Sequence, residues 1–222
     1  MAKPQWLILS PSSGSGNGVI SNSAAAHTGR IARSGIVTVQ GVGVAQPATY
    51  NVTQEAKSEY VSFDNGAQMA VGIMGGNITI LGKSNSSKLK FEWAIPTGQI
   101  QPEYTPDGDE SYGGVDFPTI DIPATYSAAG VQTNNNTSID GDPGADNEFA
   151  FSIDLVFPEN TVAVEVDRTL KVTANGSQVA QIVIKQAAAS PTLSVSPQSI
   201  TIPQVGTAVT VSVTSNTTWS VS

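Results

Sequence analysis

The chain has 222 residues, of which 39% are hydrophobic and only 13% charged, with 21 Gly, 13 Pro and no Cys. Without cysteine there can be no disulfide, thiolate zinc site or thiol nucleophile, and the single histidine, His27, excludes a histidine-cluster metal site. The net charge of −8 disfavours phosphate-rich surfaces. We therefore expect neither nucleic acid nor membrane as a partner.

Strand signals follow one another along the chain. Apolar and polar residues alternate with period two, and clusters of Gly, Asn, Ser and Pro separate these segments. No apolar stripe of helical period extends beyond two turns. The pattern predicts an all-β protein built as immunoglobulin-like sandwiches, with strands at 36–39, 50–53, 78–80, 149–153, 170–172, 182–184 and 209–213.

The amino-terminal apolar run, Trp6 to Leu9, is too short for a signal-peptide core and for a membrane span. We expect synthesis in the cytoplasm without a signal peptide.

The chain contains an internal repeat. Residues 75–86 align without gaps on 206–217, at an offset of 131 (206 minus 75), and 50–56 align on 182–188 at an offset of 132 (182 minus 50). These offsets predict one complete unit, residues 58–190, with a long insertion at about 96–146.

The second unit is split between the two ends of the sequence. Residues 191–222 are its front half and residues 1–57 its back half. Half a sandwich can neither bury its apolar faces nor pair its edge strands. The halves either close within one chain, as a circular permutation, or complete each other between neighbouring molecules.

The split unit carries three distinctive segments: Ser215-Asn216-x-x-Trp219, Trp6-Leu7-x-Leu9-Ser10-Pro11 and Val52-Thr53-Gln54. Read from 191–222 into 1–57, the sequence resembles the BACON family, immunoglobulin-like modules of gut Bacteroidetes and their phages. Over 58–190 the resemblance is limited to both ends.

With this resemblance and an acidic, cysteine-free composition, the chain looks most like an auxiliary capsid protein of a crAss-like gut phage. It implies a non-enzymatic decoration protein on the virion capsid surface, made in the host cytoplasm. Its partners would be the major capsid protein and copies of itself. The alternative is a carbohydrate-binding module of a surface or secreted protein, with glycans as partners.

Two sets of residues are candidate sites. An acidic turn could wrap calcium, although a solvated turn before the Phe149 strand explains it better; its carboxylates are Asp140, Asp142, Asp146 and Glu148. The tyrosines of the insertion are candidates for exposed partner contacts; they are Tyr104, Tyr112 and Tyr126.

Other residues fit structural roles better than chemical ones. No nucleophile elbow or restricted carboxylate pair indicates catalysis, so we expect no enzyme, no catalytic residue and no cofactor. His27 is interpreted as a turn residue and the three tryptophans, Trp6, Trp93 and Trp219, as core.

Overall fold

The computed structural model describes residues 3–94, 110–112, 115–117, 125–176 and 178–222. Within these ranges the chain forms strands and turns and contains no helix, so the all-β prediction is confirmed. Accordingly, the described residues include no helix long and apolar enough to cross a membrane.

The central unit carries the strands from β5 to β15. Their apolar residues alternate with polar ones, which directs one face of each long strand into the core. The bounds are β5 (Val61–Phe63), β6 (Gln68–Val71), β7 (Gly76–Ser84), β8 (Leu89–Ala94), β9 (Glu110–Tyr112), β10 (Val115–Phe117), β11 (Thr125–Ala128), β12 (Val131–Asn134), β13 (Phe149–Phe157), β14 (Val166–Ala174) and β15 (Gln178–Gln186).

Two sheets face each other in this unit. One has the order β12-β11-β13-β7-β5 and the other the order β6-β15-β14-β8. Read in chain order, β5, β7, β8, β11, β13, β14 and β15 occupy the places of strands A to G of an immunoglobulin domain, whose sheets are ABED and CFG. The predicted immunoglobulin-like sandwich is therefore confirmed for this unit.

The core of the sandwich lies between the two sheets and is drawn entirely from the central unit. Ile80 and Ile153 face it from one sheet, and Leu170 and Ile182 from the other; none is more than 1% exposed. Phe91 bridges the sheets, with its ring centroid 4.9 Å from that of Tyr126 and 5.5 Å from that of Phe151.

The predicted insertion, 96–146, is partly wrong. Its carboxyl-terminal part is integral to the sandwich, because β11 pairs with β13 and Tyr126, Ala128 and Ile139 belong to the core. The strands β9 and β10 form a separate hairpin within it. Short strands with few apolar residues leave little period-two signal, which is why the sequence predicts an insertion rather than strands of the sandwich here.

The flanking segments hold small two-stranded sheets. The first segment contains β1 (Leu7–Ser10), β2 (Ser21–Ala24), β3 (Arg33–Val39) and β4 (Ala48–Gln54), in which β1 pairs with β2 and β3 with β4. The last contains β16 (Leu193–Ser196) and β17 (Ser212–Ser215), which pair with each other.

The strand predicted at 209–213 is wrong over 209–211, which lie outside β17. The aligned residues 78–80 are held in β7 by pairing with β13. Residues 209–211 have no such partner strand within the described part of the chain, so a period-two sequence there does not form a strand.

Replacing Phe91 by alanine should lower the free energy of unfolding by about 3–5 kcal/mol, because it leaves a cavity between the two sheets. Urea unfolding followed by circular dichroism measures the change. Leu81→Ala is the matched control: Leu81 lies on β7 but is 46% exposed, and its loss should change stability by about 0.5 kcal/mol or less. Equal effects of the two substitutions would contradict this core.

Candidate functional site

The two flanking segments reproduce pairings of the central unit residue for residue. Leu193 pairs with Ser215 as Val61 pairs with Ser84. The β3·β4 hairpin begins at Arg33 opposite Gln54, as the β14·β15 hairpin begins at Val166 opposite Gln186. The same turn also precedes β7 and its counterpart, since Gly75 and Gly206 both have positive φ, 68° and 75°. The repeat found in the sequence therefore has a structural counterpart in both segments.

The glutamine opposite the first residue of each hairpin makes similar hydrogen bonds, with a donated bond to an equivalent carbonyl and an accepted bond from an arginine at a non-equivalent position. Gln186 is fully buried and donates from Nε2 to Pro158 O at 2.7 Å, while its Oε1 accepts from Arg168 at 2.9 Å. Gln54 donates to Ala25 O at 2.7 Å and accepts from Arg33 at 2.9 Å. Pro158 is thereby the counterpart of Ala25, at an offset of 133 (158 minus 25). The pattern apolar-x-apolar-x-Gln thus marks a strand whose last residue, a glutamine, hydrogen-bonds to backbone that directly follows a strand of another sheet.

His27 has the turn role expected of it. Its Nε2 lies 2.7 Å from Ile31 O. Its counterpart at the same offset in the central unit is Asn160, which donates to Val164 O at 3.0 Å across the equivalent turn.

A buried asparagine joins the first segment to the central unit. Asn85 is 0% exposed, and its Nδ2 lies 3.1 Å from Thr28 O and 3.3 Å from Ser58 O. Its Oδ1 accepts a hydrogen bond from Tyr60 N at 2.9 Å. Thr28 precedes the β3·β4 hairpin and Ser58 follows it, whereas Tyr60 directly precedes β5. The side-chain amide of Asn85 therefore binds both ends of the hairpin segment and the start of the central unit. We call these contacts the first joint.

The same contacts recur at Asn216, the residue aligned with Asn85 in the repeat. Its Nδ2 donates to Thr161 O at 3.1 Å and to Ser190 O at 3.0 Å, and its Oδ1 accepts from Thr192 N at 2.7 Å. The central unit is therefore attached to residues 191–222 as residues 1–57 are attached to the central unit. We call this the second joint. The aligned Ser-Asn-Ser/Thr triplets at 84–86 and 215–217 are the sequence feature that the two joints share, but such triplets are also typical of turns, so they do not by themselves predict these contacts.

The acidic turn contacts the first segment. Arg30 makes a two-pronged ion pair with Asp142, at 2.7 and 2.6 Å to its two carboxylate oxygens. The backbone amides of Arg30 and Ile31 donate to Gly144 O and Ala145 O, both at 2.9 Å. Gly29 lies so close to the backbone of Asp146 that a Cβ would approach its oxygen to 2.3 Å. This turn is therefore a docking loop of the first joint.

The four carboxylates considered for calcium do not converge. Asp142 is engaged by Arg30, and Glu148 accepts a hydrogen bond from the Tyr60 hydroxyl and lies 4.0 Å from Lys57 Nζ. Neither they nor Asp140 and Asp146 form a metal-holding group, because across the described ranges no three acidic or histidine side chains come together in that way. The contacts of Asp142 and Glu148 place the acidic turn within the first joint.

The prediction that Tyr126 is an exposed partner contact is wrong. Tyr126 is 3% exposed, it packs against Phe91, and its hydroxyl accepts a hydrogen bond from Leu89 N at 3.2 Å. A tyrosine on a short polar strand gives no sequence signal that separates burial from exposure. Tyr104 lies outside the described residues, as does the side chain of Tyr112.

The tryptophans differ in their surroundings. Trp93 packs against the core cluster, as predicted. Trp6 is half-buried beneath the guanidinium of Arg33, which lies 4.9 Å from the ring centroid. Trp219 is 53% exposed, so its prediction as a core residue is wrong for the single chain.

Both flanking segments expose apolar residues at positions that are buried in the central unit. Val211 is 39% exposed, whereas Ile80, with which it is aligned in the repeat, is 0% exposed. Ile20 is 37% exposed, whereas Ile153, its counterpart at the offset that relates Ala25 to Pro158, is 1% exposed. We call the two sets of exposed residues the open faces: on 191–222 they include Ile202 and Val211, and on 1–57 Ile20 and Val39.

Replacing Asn85 by alanine should lower the free energy of unfolding by about 1–3 kcal/mol, because it leaves buried carbonyls and the Tyr60 N–H without their partner. It should also make 27–57 sensitive to protease, measured by mass spectrometry of limited digests. Asn216→Ala is the matched variant, with cleavage shifted to 191–222 and little change in the unfolding of the central unit. Digests of both variants that match the unsubstituted chain would contradict the two joints.

Stability should fall between about pH 10 and pH 12. Burial raises the pKa of Tyr126 from 10.0 to about 12, opposed only in part by the hydrogen bond from Leu89 N. In this window the unfolded chain loses the tyrosine proton while the folded chain keeps it, so unfolding becomes easier by up to about 1.4 kcal/mol per pH unit. Urea midpoints across the window measure this. Tyr126→Phe removes this contribution, so an unchanged pH slope in that variant would contradict it.

No family model matches the chain, and no curated protein matches it in sequence. Among solved structures it is similar to domains 4 and 5 of the S-layer protein SbsC, with 13% sequence identity and a TM-score of 0.30, over 83% of this chain and 67% of that chain. So slight a likeness carries no argument, and the immunoglobulin-like assignment of the central unit rests on its own strand order.

Proposed function

We propose that the chain is a non-enzymatic structural protein that acts through assembly of its immunoglobulin-like units, as an auxiliary or decoration protein on a phage capsid. Its partners are the major capsid protein and copies of itself. It is made in the host cytoplasm and works on the capsid surface of the virion.

The observation that carries the structural role is the pair of open faces. Soluble proteins seldom leave a contiguous apolar face uncovered unless a partner covers it. Here Val211 and Ile20 are exposed where their counterparts, Ile80 and Ile153, are buried. The interactions of the chain therefore reside in strand and sheet surfaces.

The capsid as the place of action is supported by the sequence. The segments around Trp219, Trp6 and Gln54 resemble modules of gut Bacteroidetes and their phages, and the acidic composition fits a protein that avoids nucleic acid. The rigid central sandwich suits a spacer that holds other surfaces at a fixed distance.

The carbohydrate-binding alternative has less support. Of the tyrosines that could contact a glycan, Tyr126 is buried in the core. The exposed Trp219 lies in residues 191–222, for which we propose a protein partner rather than a sugar. Glycan-array binding by the full chain, abolished by Trp219→Ala, would favour this alternative over the capsid role.

The test is quantitative mass spectrometry of gradient-purified virions from the phage that encodes the chain. We expect its peptides in a fixed ratio to those of the major capsid protein. Washed capsids that lack the chain should rebind it when it is added as purified protein. Presence in the lysate with absence from virions would overturn the proposed function.

A further inference from the structure

We propose that copies of the chain join head to tail, with residues 191–222 of one copy completing residues 1–57 of the next. Residues 207–215 of the first copy, which end in β17, then pair with residues 16–24 of the second, which end in β2, in the register by which β7 pairs with β13. The inference rests on the proposed structural role and deepens it by naming a second copy of this chain as the partner.

In each incomplete unit one strand lacks a partner that its counterpart in the central unit has, and the two open edges are complementary. In the central unit β7 is paired on both sides, with β5 and with β13. Its counterpart β17 pairs with β16 alone, and β2 pairs with β1 alone, among the described strands. The strand that β17 lacks is the counterpart of β13; at the offset of 133 that counterpart is residues 16–24, which include β2. An inner strand of a sandwich left with an open edge adds a strand from another chain readily.

The central unit supplies the register. There Ile80 pairs with Ile153 and Thr79 with Asp154. Adding 131, the offset of the aligned segments, to Ile80 and Thr79 gives their counterparts Val211 and Thr210. The Thr28 and Thr161 carbonyls at the two joints differ by an offset of 133. Subtracting 133 from Ile153 and Asp154 gives their counterparts Ile20 and Ser21. The hybrid unit therefore pairs Val211 with Ile20 and Thr210 with Ser21.

This pairing covers the open faces. Val211 and Ile20 take the places of Ile80 and Ile153, which lie in the core. Val39 is 41% exposed, whereas its counterpart at the offset of 133, Val172, is 0% exposed. In the hybrid unit these residues line a closed sandwich like the central one.

The charges of the segments are compatible with this association. Residues 191–222 contain no charged side chain, so nothing charged has to be buried when they dock. Residues 1–57 carry four Lys or Arg and one Glu, a net +3, whereas 58–190 carry six Lys or Arg and seventeen Asp or Glu, a net −11. A hybrid unit of +3 would lie between central units of −11, so neighbouring units attract each other.

Closure within one chain conflicts with the joints. The first joint lies at the Ser84 end of β7, and the second lies beyond Phe157, which pairs with Gly76 at the opposite end of β7. A nine-residue strand separates these ends by about 27 Å. The open faces are thus held at opposite ends of the central sandwich, and bringing them together in one molecule would break the contacts of Asn85 or Asn216. A second copy meets no such obstacle.

A disulfide trap tests both the partner and the register, because the chain has no cysteine of its own. The side chains of Thr79 and Asp154 touch in the central unit, with Oγ1 2.6 Å from Oδ1. A full chain carrying Thr210→Cys and Ser21→Cys should therefore form a ladder of covalent oligomers under mild oxidation. Mixing a Thr210→Cys chain with an isotope-labelled Ser21→Cys chain should give the 210–21 link between labelled and unlabelled peptides.

The matched control pairs Thr210→Cys with Ser23→Cys, two residues out of register on the same strand face. Diagonal neighbours lie about 7–8 Å apart, beyond the reach of a disulfide, so this control should remain unlinked. An intrachain 21–210 disulfide in a monomer would overturn the proposal, as would equal linking of the two cysteine pairs.

A second pair of variants tests the association without cysteine. Light scattering of the full chain should give masses that rise with concentration in steps of 22.9 kDa. Val211→Asp should weaken this association about 100-fold or more, because a carboxylate would be buried unpaired in the hybrid core. Ser212→Asp, on the exposed side of the same strand, should leave it nearly unchanged.

Val211→Asp and Ser212→Asp both lie outside the central core, so the unfolding of the central unit in either variant should match that in the unsubstituted chain. A monomer at every concentration would overturn the inference, whether or not the protein is found in virions. Oligomers of the purified chain combined with its absence from virions would instead overturn only the capsid role.

Discussion

Pairing of β7 on both of its edges is the constraint on which the sandwich depends. Between β5 and β13 this strand has hydrogen-bond partners on both sides and places Ile80 in the core. Where the partner on one side is missing, at β17, the same type of sequence is strand over only Ser212–Ser215, and Val209 and Val211 just before it are exposed. Strand pairing and burial thus depend on each other more than on local propensity.

The joints show how a repeated sequence produces a repeated attachment. An asparagine side chain has two N–H donors and a carbonyl acceptor, which lets it bind backbone from two segments at once. Asn85 and Asn216 use that capacity in the same way, bonding to carbonyls at equivalent positions of successive units, Thr28 and Thr161 on one side and Ser58 and Ser190 on the other. Attachment between units is thus encoded once for each unit.

Much of the fold could be predicted from the sequence because the long strands alternate strictly. Phe149–Phe157 and Val166–Ala174 bury every second residue, and that period is readable without a structure. The burial of Tyr126 could not be read, since β11 is short and its neighbours are small or polar. Nor could the roles of Asp142 and Asn85, because their partners, Arg30 and Thr28, are distant in sequence and no local period links them.

The acidic turn also makes the two joints unequal in stiffness. The first joint has the Asn85 contacts and, in addition, the Arg30–Asp142 pair and the backbone bonds to Gly144 and Ala145, whereas Asn216 at the second joint retains more exposure. Fewer contacts would have to separate at the second joint under bending or tension, so strain in an assembled chain would concentrate near Ser190 rather than between the first segment and the central unit.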